Sequence, residues 1–279
     1  MTDNILRGCR IYLSGPMDFV ASRSAEKRSG WRIRVGKFLQ SFGALVYDPW
    51  AKPIVVGQQG IASGYEYSPR KRAEWTFENT DGGRRKRAEL CHLFRPTVHI
   101  NSRMVDICDL LIAYCPTNIY SVGTVNEIVR ARAQHKPVLF VSPPIIYPEF
   151  EELYLHLQER KDTEAMTLLE NALSSAAIKA NPEGIPSPWY MAIIDQEYFF
   201  DGFGFGGYDD LKPTSDSEAT RLDLVEQIHP PKKPLLPFLE TLNQELPRRY
   251  DLVHDDFVEN SDWLILHPGI YERTEETEE

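Results

Sequence analysis

Seven consecutive residues carry the densest chemical signal in this 279-residue chain: Ser121-Val122-Gly123-Thr124-Val125-Asn126-Glu127. They follow an apolar run, Leu110-Leu111-Ile112-Ala113-Tyr114, which reads as a buried strand. They lead into a helix-patterned stretch from Val125 to Ala133. A strand, a glycine turn and a carboxylate in the first helical turn put Glu127 at the carboxyl-terminal edge of a parallel sheet, where open α/β sheets bind ligands. Thr124-x-x-Glu127 is by itself a capping box, with Thr at the N-cap and Glu at N3. There the helix macrodipole favours an ionised carboxylate facing the crevice. Such a carboxylate can attack a sugar carbon, as a retaining glycosyl mechanism requires.

A second segment, Ile11-Tyr12-Leu13-Ser14-Gly15-Pro16-Met17, ends a short strand on a Gly-Pro turn that lets the backbone approach a ligand. It is not G-x-G-x-x-G, so the dinucleotide fingerprint is absent. Trp50 follows a second strand and is placed to stack on a base, or to pack locally.

The elements that must position these residues are legible from periodicity. Arg10 to Ser14 is a strand. A helix is expected from about Ser22, with Trp31, Val35, Phe38, Leu39 and Phe42 on one face and Gly43 ending it. Ala44 to Tyr47 is the next strand, giving a right-handed βαβ unit. Residues 51–96 read as a long polar insertion with one helix near 84–94. A separate helix runs from Val98 to Cys108, followed by the strand 109–114, the glutamate helix and a buried strand Val138 to Val141. The expected fold is α/β: a doubly wound parallel sheet, Rossmann-like or flavodoxin-like, over 1–145. A helical and irregular extension over 146–279 ends in an acidic tail. Within it, Phe150 to Ala180 reads as helix, 209–235 as loop and 238–246 as a short helix.

Taken in order, Ile-Tyr-Leu-Ser-Gly-Pro at 11–16, Cys-Asp-Leu-Leu-Ile-Ala at 108–113, Ser121-x-Gly123-Thr124-x-x-Glu127 and Lys136-Pro137-Val138 make the first 145 residues resemble the nucleoside 2-deoxyribosyltransferase superfamily. That superfamily includes nucleoside deoxyribosyltransferases and nucleotide N-glycoside hydrolases. The resemblance implies Glu127 as nucleophile and Tyr12 as the residue that orients it. It implies Gly15, Pro16 and Met17 as the loop lining the sugar and base pocket. Ser121 stands where the transferases have an Asp for the sugar hydroxyl, and matches the monophosphate branch, where Ser contacts phosphate. Asn101 replaces an Asp that addresses the base. Asp18 lies where the phosphate branch commonly has an Arg; the clusters Arg70–Arg72 or Arg84–Arg87 could compensate. The resemblance also implies a homo-oligomer whose neighbouring subunit completes the pocket, with no metal and no cofactor. Trp189, Tyr190, Phe203 and Phe205 are candidates for a lid or dimer element, or for a local core. A different class of reading stays open: a nucleotide-binding sensor or interaction module that kept the fold without turnover.

Charge and composition narrow the partners. The net charge of −10 splits unevenly. Residues 1–150 carry 21 Lys and Arg against 13 Asp and Glu, and residues 151–279 carry 10 against 28. The acidic half argues against a stable nucleic-acid partner, while the basic half can hold a small anion. No apolar run is long enough for a membrane span. Met1 to Gly8 lacks the apolar stretch of a secretory signal, and Cys9, Cys91, Cys108 and Cys115 show no metal-ligand spacing. A cytoplasmic enzyme acting on small nucleosides or nucleotides is the expectation.

Overall fold

The computed structural model describes residues 4–16, 23–51, 78–116, 121–144, 148–175, 187–213 and 221–266. A five-stranded, all-parallel sheet organises the chain, in the order β2-β1-β3-β4-β5. Its strands are β1 (Arg10–Ser14), β2 (Leu45–Tyr47), β3 (Leu110–Tyr114), β4 (Val138–Val141) and β5 (Phe199–Phe200). Strands β3 and β4 are continuous apolar runs and β1 is buried from Ile11 to Ser14, as a parallel sheet covered on both faces demands. The edges are short: three residues in β2 and two in β5. Arg10 fastens the amino ends of β1 and β3, with Nε 3.0 Å and Nη2 2.6 Å from the two oxygens of Asp109.

Between β1 and β2 the expected single helix is two, α1 (Arg23–Ser29) and α2 (Trp31–Ser41). The break falls at Gly30, where a Cβ would meet the Glu26 carbonyl oxygen at 2.5 Å. Gly43 follows α2 with φ +82°, as the sequence predicted.

The insertion and the helix expected after it are not separate. One helix, α3, runs through Asp81–Ile107 and carries Pro96 inside it. Proline removes one helical N–H and normally breaks a helix, which is why the pattern read as two pieces. Here both ends are tied. Thr80 accepts from the Gly83 N–H, and the buried Lys136 ammonium donates to the carbonyls of Val105 and Asp106 at 2.7 and 2.5 Å. The helix α4 (Val122–Arg132) packs beside α3.

The second half does not stand apart from the first. Helices α5 (Pro148–Glu159) and α6 (Thr163–Ser175) form an antiparallel pair, and α7 (Pro188–Ile194) packs against α4. Then β5 joins the sheet beside β4, so sheet and core both cross the expected boundary at 145. Two residues are too few to show an alternation, so periodicity did not reveal this strand. The expected loop at 209–235 contains α8 (Arg221–Ile228), and α9 (Leu235–Leu242) replaces the short helix expected at 238–246. A hairpin, β6 (Arg248–Asp251) with β7 (Asp256–Glu259), precedes a last 3-10 helix, Ser261–Leu266, whose Trp263 is fully buried. The acidic tail lies outside the described residues.

Arg34 knits the halves together. Its Nε donates to the Leu211 carbonyl at 2.8 Å, its Nη1 pairs with Asp223 at 2.5 Å, and its guanidinium lies over Phe205. Cys9, Cys108 and Cys115 are buried and free. Burial pushes the Cys108 thiol up to about 12, so it is unreactive at neutral pH. No helix among the described residues is long and apolar enough to cross a membrane.

Candidate active site at the carboxyl ends of the central strands

The strand order reverses between β1 and β3, and the polar cluster gathers at their carboxyl ends, the position where open parallel sheets form a crevice. Tyr12 and Ser14 are two apart on β1 and so share a face. Both are fully buried. Glu127 enters from α4 and is 6% exposed. The Tyr12 hydroxyl donates to Glu127 Oε1 at 2.9 Å, and the Ser14 hydroxyl donates to Oε2 through a short bond. From α3, the Asn101 amide Nδ2 donates to Oε1 at 3.2 Å. An ionised carboxylate offers about four acceptor positions. Two at Oε1 and one at Oε2 are taken, so these contacts leave one position at Oε2.

Glu127 owes its setting to these donors and not to a helix cap. The helix begins at Val122 with Ser121 as its N-cap, so Glu127 is the sixth helical residue and lies in the second turn. The capping box is not formed; the Thr124 hydroxyl instead meets that of Ser121 at 2.6 Å. The macrodipole acts mainly in the first turn. Burial pushes the Glu127 carboxyl above its ordinary range, and hydrogen bonds from Ser14 and Tyr12, the Arg32 charge and the Asn101 amide pull it back. Ionisation therefore rests on side-chain donors. Tyr12 is held well above its ordinary value, first by burial and then by the neighbouring carboxylate, and stays a donor.

Ser14 and Arg32 belong to this cluster and were not anticipated. Ser14 had a signal: it is the next residue on the face of the strand that carries Tyr12. Arg32 had none, because it sits inside the apolar repeat of α2. Its side chain is buried, lies over the Trp31 ring, and donates to the carbonyls of Leu13 at 3.2 Å and Gly15 at 2.7 Å. Asp48 stands 3.9 Å from its Nε.

Gly15 is required by this packing. A Cβ there would lie 2.7 Å from Trp31 and 3.1 Å from Arg32 Nη2, so the close approach is to α2. Pro16 is buried beside it, while Met17 and Asp18 lie outside the described residues. Gly123 is exposed with open space around it, so no packing demand explains that glycine. Trp50 sits at the periphery, where its backbone N–H donates to Asp48 and Lys27 approaches its ring.

The aromatic residues of the second half divide. Phe203 and Phe205 are core, with Phe203 stacked on Trp31 and on Phe205, and Tyr190 packs on Phe140. Trp189 alone of the four is exposed, at 77%. Arg70–Arg72 lie outside the described residues. Of the other cluster, Arg84 pairs with Asp81 and Arg87 donates to the Glu78 carbonyl, both at the start of α3. Among the described residues no group of three or more His, Cys, Asp or Glu converges as a metal site. Neither a scan against protein-family models nor a search of the curated proteins finds a match for this chain.

Proposed function

We propose that the protein cleaves or transfers the N-glycosidic bond of a nucleoside or nucleoside 5′-monophosphate, with Glu127 as nucleophile. The observation that carries this reading is a buried carboxylate whose oxygens accept from Tyr12, Asn101 and Ser14 while one acceptor position stays at Oε2. In this reading Oε2 attacks C1′, the C1′–N bond breaks, and its electron pair leaves with the base, which is then protonated. Water or a second base attacks C1′ of the glycosyl-enzyme and restores the carboxylate. The step needs no metal or cofactor. Arg32 adds positive potential behind the carboxylate, and Ser121 at the end of the β3 loop is the residue proposed to meet the 5′ group.

Two further supports concern class. The order 2-1-3-4-5 with a reversal between β1 and β3 fits a doubly wound, flavodoxin-like sheet. Tyr12 and Glu127 meet as the resemblance to the nucleoside 2-deoxyribosyltransferase superfamily implies. With that membership we propose a homo-oligomer whose partner completes the pocket, and a cytoplasmic setting.

One observation favours a second reading. Burial raises the Glu127 pKa, and a neutral carboxyl group does not attack. A nucleotide-binding sensor without turnover would tolerate that state. Chromatography of free bases after incubation with nucleosides, their monophosphates and NAD separates the two. Released base that vanishes in Glu127→Gln supports the enzyme. Saturable binding with no released base supports the sensor.

A further inference from the structure

Asn101 has a half that the carboxylate does not use. Its Nδ2 is committed to Glu127 Oε1, and only the amide nitrogen can donate to a carboxylate, so the orientation of the amide follows from the chemistry. Its Oδ1 is then directed elsewhere. That oxygen is shielded from solvent and has no hydrogen-bond partner among the described residues. Buried polar atoms are nearly always paired, so an orphaned acceptor beside a reactive carboxylate calls for a donor from a ligand.

The geometry of displacement says which donor. In a β-nucleoside the base and the ribose 2′-hydroxyl lie on opposite faces of the sugar ring. A nucleophile displacing the base in line approaches from the face opposite the base, the face that bears the 2′-hydroxyl. Asn101 is bonded to that nucleophile, so its carbonyl oxygen lies on the nucleophile's side of the sugar. With Oε1 occupied by Tyr12 and Asn101, attack falls to Oε2.

We infer that Asn101 reads the sugar, accepting a hydrogen bond from the 2′-hydroxyl through Oδ1, and that the substrate is a ribonucleoside or ribonucleotide. The inference rests on the proposed glycosyl chemistry and adds the sugar class to it. A hydrogen bond to the 2-position strengthens as the oxocarbenium-like transition state forms, and a site with a buried acceptor rejects an analogue that leaves it unpaired. Asn101 is thus a specificity-determining residue with two roles, one for each end of its amide.

The test compares kcat/KM for matched ribo and 2′-deoxy pairs, with and without a 5′-phosphate, in the wild type, Asn101→Leu and Asn101→Asp. The ratio of ribo to deoxy within each protein is the readout. Dividing it between proteins cancels the intrinsic difference in lability of the two bonds. Asn101→Leu slows both sugars, because Oε1 loses a donor, and lowers the ratio by a further factor of about ten. Asn101→Asp also removes the donor but keeps an acceptor, so its ratio stays within about threefold of the wild type. An unchanged ratio in Asn101→Leu overturns the inference and leaves the glycosyl reading standing. No base released from any pair by the wild type removes both. A second measurement needs no variant. A ribo-configured 2′-fluoro analogue, similar in size but unable to donate, should inhibit the wild type about tenfold more weakly than the 2′-hydroxyl compound. Equal inhibition overturns the inference.

Discussion

Two carboxylates of the described residues, the buried Glu127 and the half-buried Glu226, are solvated by different means. Glu226 on α8 faces the segment 203–205. The N–H groups of Phe203 and Phe205 bind its two oxygens at 2.5 and 3.0 Å, and that of Gly204 approaches both. Glu127 is held by three side chains from β1 and α3. Burial raises the pKa of both carboxyl groups, and in both the hydrogen bonds oppose it. Backbone donors are fixed by the chain path, so Glu226 completes the hydrogen bonding of the turn that enters the 3-10 helix Phe205–Gly207. Hydroxyl and amide donors rotate. Glu127 can exchange one of them for a substrate without unfolding anything. On the proposed reading, the difference separates a carboxylate that maintains the fold from one prepared for chemistry.

The largest expected effect breaks the comparison on the chemical side. Glu127→Gln keeps the shape and removes the nucleophile, and base release should fall at least about a thousandfold. Chromatography of the products measures it, and turnover within tenfold of the wild type would return Glu127 to a structural role. On the other side, Glu226→Ala orphans the N–H groups of residues 203–205 and should cost about 3 kcal/mol in urea unfolding. The activity per folded molecule should be unchanged, and a loss of activity without a loss of stability would contradict the division drawn between the two glutamates.

Smaller effects sharpen it. Tyr12→Phe removes one donor from Oε1 and should lower kcat/KM by roughly tenfold to a hundredfold. The attacking form is the ionised one, so activity is present above the Glu127 pKa and lost as pH falls through it. A hydrogen bond to the carboxylate lowers that pKa. Its removal must therefore move the acid limb of the profile to higher pH, and a limb that stays put or moves down refutes the proposed role of Tyr12. The smallest effect is on stability. The folded-state pKa of Glu127 lies above its ordinary value of 4.5, so the folded protein binds more protons than the unfolded chain between the two values. Stability falls as pH rises through that window. Glu127→Gln should consequently melt higher than the wild type at pH 7, with the gain shrinking as pH is lowered toward 4.5. A pH-independent difference in Tm would show that the carboxylate ionises freely in the folded state.

What the sequence disclosed follows the range of the interactions involved. The strands β3 and β4 are runs of apolar residues, β1 has Ile11, Tyr12 and Leu13 at its centre, and all three are visible in a short window. Glu127 was legible as a carboxylate at the edge of the sheet, but its partners come from distant elements that no local pattern connects to it. The reading as a capping box came from spacing alone, and it failed because the helix starts at Val122 and not after Thr124. Tyr12 and Asn101 both came from a family resemblance, and no local pattern joins either of them to Glu127. Local propensity divided α3 at Pro96, because the ties that hold it, Thr80 and Lys136, lie outside the window in which a proline is judged. Arg32 was hidden by its surroundings, since a cation within an apolar repeat reads as an interruption. The strand β5 and the hairpin β6–β7 are defined by pairing rather than by composition.

The clasp formed by Arg34 has a consequence for how the polypeptide emerges from the ribosome. Translation delivers β1 through β4 first, together with the guanidinium of Arg34 on α2. Its counter-charge Asp223, the carbonyl of Leu211 and the ring of Phe205 are synthesised only after β5. Until they arrive, Arg34 lacks these three partners and β4 lacks β5. The first half therefore waits on downstream sequence for its fifth strand and for these partners of Arg34. A message truncated before codon 199 would encode every residue of the carboxylate cluster but neither β5 nor any of these three partners of Arg34.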